Sequence, residues 1–363
     1  MGYVAVQGGV TAIESSQKLN RYLRLRGESA PLSVNQIMDQ MGPLVDRVMG
    51  EGGLYSPFHA ALAIKQASGD PIEAAFLLRA YRATLRRLVD SLPVRTEEMR
   101  ILRRISSAFK TIPGGQVLGS TSDYEQRILD FSLAEETVET QREAVREFEA
   151  GLGDQEEPLS PGHFRKVVDM LRDQGLVPPV PPRSDAPPTD VTQESAAFPL
   201  DRSGRLQMLA RAETGGVLAL AYSSMRGYGS IHPTVGELRV GRVRVQIPHP
   251  WRKGRAVTLG SATVTEVEIV ASFHRSEGEA KPTFSLGYGS CFGHNEVKAI
   301  SLGVLDRAMR SPTPGAPAED HEFVLLHTDG VESSGFCSHF KLPHYVTFQA
   351  DLDRLRTQRG VEE

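Results

Sequence analysis

The chain has 363 residues and a formal net charge of −4, and 40% of its residues are hydrophobic and 24% charged. The composition is that of a globular protein, and the length exceeds that of a usual single domain. The acidic balance gives no overall positive field for nucleic acid, and two cysteines cannot build a disulfide framework, a cysteine-rich zinc site or an iron–sulfur cluster. No apolar run approaches the ~18 residues of a membrane span. The first ten residues have no basic start and no long apolar core, so we do not expect them to act as a signal peptide. We therefore expect a soluble, cytoplasmic protein.

The region 1–150 is predicted to be mostly helical. A strand-like opening is followed by Thr11 and Glu14, which have the spacing of a capping box at the start of a helix. Ser33 and Gln36 repeat that spacing before the next helical pattern.

The strongest helical pattern runs from Asp70, its expected N-cap, to residue 92. The side chains expected to pack inward are Phe76, Leu77, Ala80, Tyr81, Leu85 and Leu88. Arg79, Arg82 and Arg86 follow another side of this helix. Such an arginine stripe is typical of a solvated helix face, and phosphate binding is the alternative.

The composition changes after residue 150. Residues 151–200 are rich in proline around one short helical piece, which favours an extended connector. Region 201–363 carries predicted strands at 215–224, 236–248, 262–273 and 322–327, and a helix that Asn295 caps. We therefore predict an α+β fold: a mainly helical N-terminal region, a Pro-rich connector, and a mixed α/β C-terminal region with the GYG and SHFKLPH motifs.

The stretch GGQVLGST, residues 114–121, has the glycine spacing of a P-loop, but Ser120 stands where that loop needs lysine. The preceding residues 98–110 look helical, whereas a P-loop follows a strand. A glycine-rich loop between helices is therefore favoured. An anion-binding nest helped by Arg103, Arg104 and Lys110 is the alternative.

Two similar segments each place a tyrosine between glycines, which leaves backbone amides and an aromatic face accessible to a ligand. The candidate substrate-binding residues are Gly227, Tyr228, Gly229, Gly287, Tyr288 and Gly289. The second segment leads into the helix that begins after Asn295, where an anion could bind. Glycine turns that close strands are the alternative.

His339 and His344 lie five positions apart in SHFKLPHY, a spacing that neither a helix nor a strand brings to one point. Pro343 interrupts regular structure, so a turn there could direct both imidazoles to one side. A zinc-like ion would need two further ligands, and Cys337 could supply a thiolate. The pair is a candidate metal site, and an accidental pair is the alternative. His321 and His327 flank an apolar run and are more typical of solvated strand ends.

Several long segments, in unbroken order from residue 3 to about residue 355, closely resemble the PhnI family of subunits of bacterial carbon–phosphorus lyase. The segments that carry the resemblance are YVAVQGG, ALAIKQASGD, EAAFLLRAYRATL, IPGGQVLG, LALAYSSMRGYG, EFVLLHTD and GFCSHFKLPHYVTFQA. The proline-rich middle and the tail are its weakest parts.

The resemblance implies a cytoplasmic complex with PhnG, PhnH and PhnJ, the ATPase-like PhnL and PhnK, and a dimer of this chain at its centre. Members of the family, with PhnG, PhnH and PhnL, replace the adenine of ATP by a phosphonate at the anomeric carbon of ribose. The product is α-D-ribose 1-methylphosphonate 5-triphosphate, and the subunit alone is associated with release of the base from ATP or GTP. Mg²⁺ accompanies the ATP substrate. The iron–sulfur cluster belongs to PhnJ and not to this chain.

The resemblance also implies a zinc ion between this chain and PhnJ. Its two histidine ligands carry over onto His339 and His344, and PhnJ donates the remaining protein ligand. Cys337 stands where the family is expected to have an apolar residue, so it is left out of the site.

A ribosyl transfer needs an acidic group to stabilise charge at the anomeric carbon or to activate the nucleophile. The candidates are Glu237, Asp329 and Asp123, each near a glycine turn, although helix caps or solvated surface would also explain them. Three functions remain open. The chain is a ribosyl-transferring subunit, which we favour, a scaffold that completes a metal site with PhnJ, or a freestanding zinc hydrolase.

Overall fold

The computed structural model describes residues 8–152, 164–180, 187–226, 233–274, 281–311, 314–341 and 345–361. The fold is α+β, as predicted, with helices before and around a four-stranded antiparallel sheet. The predicted opening strand lies almost entirely outside the described residues. No described helix combines the length and apolar character required to cross a membrane.

The chain before the sheet is helical. Its helices are α1 (Gly9–Leu25), α2 (Val34–Gln40), α3 (Gly42–Gly52), α4 (Pro57–Gln66) and α5 (Pro71–Thr84). The Ser33–Gln36 capping box is confirmed, because the Ser33 hydroxyl accepts from the Gln36 N–H at 3.0 Å and the Gln36 side chain accepts from the Ser33 N–H at 2.8 Å. The predicted box at Thr11 is wrong, because α1 already begins after Gly8.

Helices α2 to α5 enclose their own apolar cluster, with Ile37, Val48, Met49 and Leu78 among its buried members. Asp70 caps α5 as predicted, through bonds of 2.9 Å from the N–H groups of the first turn. The predicted inward face of this helix is wrong except at Leu77, which packs half-buried against this cluster.

The α5 side chains buried in the fold are Ala74, Ala75 and Leu78, and α5 ends at Thr84 rather than near residue 92. Mostly small residues are buried on this face because α3 packs close to α5. A Cβ on Gly52 of α3 would lie only 2.8 Å from Leu78 Cδ2. The larger apolar residues Phe76, Tyr81, Leu85 and Leu88 are exposed.

The sheet has the strand order β1–β2–β3–β4, so β4 is an edge strand. Its strands are β1 (Arg100–Ile105), β2 (Thr234–Pro248), β3 (Ala256–His274) and β4 (Thr283–Phe292). Strands β2 and β3 confirm two predicted strands. The helix predicted over residues 98–110 is wrong, because β1 pairs antiparallel with β2 and places Arg104 opposite Arg239. Long-range pairing has overridden the local helical pattern.

Between β1 and β2 in the chain lie α6 (Val138–Leu152), α7 (Val167–Asp173), α8 (Arg202–Arg211) and α9 (Thr214–Arg226). The strand predicted at residues 215–224 is therefore wrong, because this segment is α9. The strand predicted at 322–327 is also wrong, because α11 (His321–His327) occupies it. Short apolar runs fit a buried helix as well as a buried strand. Here Val217 and Val324 pack in one core with α10 (Glu296–Ala308).

One face of the sheet is apolar and packs on α10, whose start Asn295 caps as predicted. Glycines bring the two backbones unusually close: a Cβ on Gly287 would lie 2.0 Å from the Gly303 carbonyl oxygen, and one on Gly289 would lie 2.1 Å from that of Ala299. A larger residue at either glycine position would push the helix away.

The opposite face of the sheet is covered by α7, whose Val167, Val168 and Leu171 are buried. After α11 the chain continues as α12 (Gly330–His339) and α13 (Tyr345–Arg359), which carry many exposed side chains. The sheet thus has one apolar face, one polar face, and a free edge at β4.

Candidate functional site

A cavity of about 380 Å³ lies along the free edge of β4. Its lining comes from the end of α3, from α5, α8 and α10, and from β4, through residues that include Gly50, Gly53, Arg82, Leu206, Leu209, Ala210, Arg211, Leu302 and Tyr288 to Phe292. The volume falls within the range of small-molecule sites, about 300–1,000 Å³. The cavity combines an apolar part with a cationic part.

The edge of β4 presents main-chain groups to this cavity. The Tyr288 N–H donates to an Asp306 carboxylate oxygen at 2.9 Å, and the Leu286 carbonyl accepts from Arg310, so these residues point away from β3. Because N–H and C=O directions alternate along a strand, the main-chain groups of Ser290 and Phe292 point to the same side. Both residues line the cavity. They supply directional donors and acceptors beside apolar side chains.

Arg82 and Arg211 form the cationic part, with Arg79 behind them. Arg79 is the best neutralised, since it donates to both carboxylate oxygens of Asp329 at 3.0 and 2.8 Å and to the Glu51 carbonyl at 2.8 Å. Burial and then the charges of Arg79 and Arg82 lower the pKa of Arg211 to about 10. Burial and the neighbouring arginines also lower the pKa of Arg82. The cluster is therefore a concentration of mutually repelling cations.

Lys298, in the first turn of α10, adds a buried amine at the floor of this region. Its side chain is 1% exposed, and within the described ranges its Nζ has no hydrogen-bond partner. A Cβ on the cavity residue Gly50 would lie 3.5 Å from this Nζ. Burial lowers the pKa of Lys298 and raises that of the nearby Cys291 thiol to about 11.

The polar face of the sheet carries a second concentration of charge. Glu237 is paired with the guanidinium groups of Arg104 and Arg239, and Lys166 Nζ lies 2.7 Å from Glu266. The four of these residues that lie on strands, Arg104, Glu237, Arg239 and Glu266, are at most 2% exposed. The pairs neutralise one another, so this network mainly holds β1, β2, β3 and the α7 segment together.

Glu268 is the exception in that network. Burial raises its pKa to about 7. The charge of Lys166 opposes this shift, and the charge of Glu266 adds to it. Its Oε1 lies 3.7 Å from Lys166 Nζ, and in the described part of the chain its Oε2 has no hydrogen-bond partner. The carboxyl is thus able to exchange a proton near neutral pH.

The structure places the three acidic candidates in separate locations. Glu237 lies inside the buried network, where it also accepts from the Val167 N–H at 2.9 Å. Asp329 caps α12 and binds Arg79 beside the cavity. Asp123 pairs with Arg103 and is half exposed. Of the three, Asp329 alone is electrostatically linked to the cavity arginines, and the catalytic role of each remains a prediction.

The segment GGQVLGST is not a P-loop. It follows β1 rather than a helix, which corrects the expectation of a loop between helices, and Val117 folds back to exchange backbone bonds of 2.7 and 2.8 Å with Arg104. No helix begins at its end. Arg103 binds Glu296 and Asp123, and Arg104 binds Glu237, so carboxylates already occupy both guanidinium groups.

Of the two tyrosine–glycine segments, Gly227, Tyr228 and Gly229 lie outside the described residues. The glycine Cα atoms of Gly287 and Gly289 face α10, and the Tyr288 hydroxyl donates to Glu266 at 3.0 Å. Tyr288 and Gly289 also line the cavity. Their role in substrate binding remains a prediction.

His339 ends α12, and its Nδ1 contacts the Phe336 carbonyl oxygen. An Nδ1–H donated to a backbone carbonyl leaves Nε2 as the basic nitrogen, which is the usual arrangement of a metal-binding histidine. His339 therefore fits the role of a single ligand. His344 lies outside the described residues, and a search of the described ones finds no group of three side chains able to hold a metal. His321 and His327 lie on helix α11, not on a strand.

Sequence reasoning missed Arg211, Lys298 and the cavity itself. Arg82 was noticed only as part of a stripe expected to be solvated. No local pattern marks these residues, because they come from α5, α8 and α10 and meet only in the folded chain. A cation in the first turn of α10, where a helix favours acidic residues, is the one available signal for Lys298.

Comparison with known proteins gives a consistent result. The family model described as "Bacterial phosphonate metabolism protein (PhnI)" matches residues 2–362. HtxH of Stutzerimonas stutzeri is 53% identical over 98% of this chain and 96% of its own length. The alpha-D-ribose 1-methylphosphonate 5-triphosphate synthase subunits PhnI of Escherichia coli K12 and Rhizobium meliloti 1021 are 47% and 44% identical, each over 98% of this chain and over 97% and 95% of their own lengths.

The raised pKa of Glu268 makes stability depend on pH. The folded protein holds this proton up to a pH of about 7, whereas the unfolded chain loses it near 4.5, so the stabilisation is complete below 4.5 and is lost as the pH rises through 7. We expect Glu268→Gln to gain about 3 kcal/mol in free energy of unfolding, relative to the natural protein, between pH 5 and pH 8. Urea unfolding at both pH values measures this. Exposed Glu97→Gln is the control, and parallel pH profiles for Glu268→Gln and the natural protein would contradict the assignment.

Proposed function

This chain belongs to the PhnI family of bacterial phosphonate metabolism proteins, and from that membership we propose that it is a subunit of the α-D-ribose 1-methylphosphonate 5-triphosphate synthase of the carbon–phosphorus lyase pathway. In the proposed reaction, which takes place in the cytoplasm with PhnG, PhnH and PhnL, a phosphonate oxygen forms a bond to the anomeric carbon of ATP. The bond from that carbon to adenine breaks, and adenine leaves with its electron pair and takes up a proton. With water in place of phosphonate, the same bond breakage gives base release from ATP or GTP.

The observation that carries this proposal is the cavity at the edge of β4. Leu206, Ala210 and Phe292 line the cavity with partly exposed side chains, which provide apolar surface for a flat base. The outward main-chain groups of Ser290 and Phe292 can bond to its polar edge. An edge strand offers a donor and an acceptor in a fixed plane, which suits a purine. The guanidinium groups at the other part of the cavity suit the anionic end of the same substrate, which enters as its Mg²⁺ complex.

The chemistry demands positive charge at the anomeric carbon and a protonated leaving base. Asp329 is the acidic candidate on the cavity side of the molecule, through its contact with Arg79. Glu237 binds Arg104 and Asp123 binds Arg103. Neither of these arginines lines the cavity, so we rank the two carboxylates lower. Tyr288 and Gly289, which also line the cavity, would contribute to binding by contact with the ligand.

Filling the cavity tests its role directly. Ala210→Phe on α8 places an aromatic ring where the base is expected, and we expect base release from ATP, measured by chromatography with and without PhnG and PhnH, to fall by at least about 100-fold. Ala83→Phe, on the exposed side of α5, is the matched control and should leave the rate unchanged. Full activity of Ala210→Phe would contradict the assignment. Absence of base release from the natural chain with both partners would favour the scaffold function.

A metal site shared with PhnJ is the second part of the proposal. His339 and His344 would hold a zinc ion together with a PhnJ ligand, and the ion would supply a Lewis acid at the interface. Support comes from the contact at His339 Nδ1 and from the apolar residues Phe336, Phe340 and Phe348, which are at least 65% exposed. Such a surface is typical of a covered interface. We propose PhnJ at this surface, with PhnG, PhnH, PhnL, PhnK and a second copy of the chain elsewhere in the complex.

The metal proposal predicts a separation of two properties. In a complex purified with PhnJ, His339→Ala should lower bound zinc, measured by elemental analysis, by about tenfold or more, while base release by the isolated chain stays unchanged. His327→Ala is the matched control, because His327 also ends a helix with Nδ1 2.7 Å from a backbone carbonyl. Unchanged zinc in His339→Ala would overturn the metal site. Lost base release would overturn the separation of the two sites.

A freestanding zinc hydrolase has less support, because the described ranges contain no local group of three metal ligands.

A further inference from the structure

We propose that Arg82 and Arg211 form a polyphosphate-binding subsite at the cationic part of the β4-edge cavity. The subsite deepens the proposed ATP reaction, and it rests on that reaction only for the identity of the ligand as a nucleotide. The ligand class follows from the charges and shape of the cavity.

The first support is that, among the described residues, no carboxylate directly contacts Arg82 or Arg211. Arg79, Arg82 and Arg211 lie together, and the carboxylate in direct contact with them is that of Asp329, which binds Arg79. Within the described ranges, neither Arg82 nor Arg211 forms an ion pair. By contrast, the buried Arg104 and Arg239 share Glu237. Asp190 acts on Arg82, and Asp329 and Glu332 act on Arg211, only at longer range. An anion that binds directly between the two arginines therefore reduces a repulsion that these carboxylates do not cancel.

The second support is that only some of the donors on these arginines are used in contacts within the fold. Arg79 donates to the Glu51 carbonyl near the end of α3, and Arg211 Nη1 donates to the Val191 carbonyl at 3.1 Å. The Arg211 Nε is buried without a hydrogen-bond partner in the described part of the chain. No described hydrogen bond involves the guanidinium of Arg82. The donors that remain for a ligand are therefore the guanidinium of Arg82 and Nη2 of Arg211.

The third support is the backbone between the two side chains. Gly53 ends α3 with a φ of +67°, in the left-handed region, and lines the cavity. A Cβ at this position would lie 3.1 Å from Arg82 Nη1 and 3.7 Å from Arg211 Cγ and Cδ. The glycine therefore lets the two arginines flank one small open space. A larger residue would fill that space.

The ligand class follows from these features. The two guanidinium groups, which reach the cavity from α5 and α8, can take separate phosphate oxygens with charge-assisted bonds. The same cavity also contains the apolar part, with Leu206 and the edge of β4. A ligand with a flat base and a chain of phosphates would satisfy both, with the base at β4 and the phosphates between Arg82 and Arg211.

The test uses the full chain and inorganic triphosphate as the probe, titrated by calorimetry at low ionic strength. We expect Arg82→Ala and Arg211→Ala each to weaken triphosphate binding by at least about tenfold, and Arg82→Lys to recover part of the loss. The matched control is Arg86→Ala, whose exposed arginine lies just beyond α5 and outside the cavity. Its affinity should stay within about twofold of the natural chain. Thermal unfolding checks that each variant is folded.

Adenosine, which has the base without phosphates, separates this inference from the reaction. Adenosine binding should be unchanged in Arg82→Ala and Arg211→Ala. The subsite is overturned if the natural chain does not bind triphosphate, or if both alanine variants bind it as the natural chain does. Triphosphate binding needs no ribosyl chemistry, so absence of base release alone would refute the proposed reaction and leave the subsite standing.

Discussion

The close approach of α10 to β4 is the constraint on which the rest of the molecule depends. Gly287 and Gly289 on the strand and Gly303 on the helix leave no side chain between the two backbones. This contact fixes the height at which α10 crosses the sheet. It thereby sets the position of Lys298 in the first helical turn and keeps α10 on the face of β4. The strand's outer edge is then left to face α3 and α8, and the cavity lies between them.

The two faces of the sheet solve different physical problems. The α10 face buries apolar side chains, which contributes on the order of 25 cal/mol for each Å² removed from water. The α7 face buries charges, which is favourable only when each has a close partner. Glu237 with Arg104 and Arg239 meets that condition. Within the part of the chain that the structure describes, Arg82 and Arg211 form no ion pair, and this contrast supports the proposal that they bind an anionic ligand.

Much of the framework could be predicted from sequence, because it depends on local chemistry. Capping by Ser33, Asp70 and Asn295 follows from single side chains that bond to nearby N–H groups, and the long alternation of β2 and β3 identifies both strands. Helices α9 and α11 were mistaken for strands because short apolar runs carry no clear period. Strand β1 was missed because its conformation depends on pairing with β2, more than a hundred residues later.

The site was harder to predict than the fold. Arg82 and Arg211 are separated by more than a hundred residues, and only packing decides that they share a cavity. The histidine motif, in contrast, is recognisable from the local sequence and the family resemblance, and its remaining protein ligand is proposed to come from another chain. One proposed site is therefore assembled within this chain, and the other is proposed to be completed by a neighbouring subunit.

The central claim is that the nucleotide binds at the edge of β4. Hydrogen–deuterium exchange tests it most directly, with an ATP analogue whose base is joined to ribose by a carbon–carbon bond and therefore cannot be released. Peptides that contain Ser290 to Phe292 and Ala210 to Arg211 should exchange more slowly when the analogue is bound. Unchanged exchange at β4 and α8, with protection confined to the segment around His339, would contradict it.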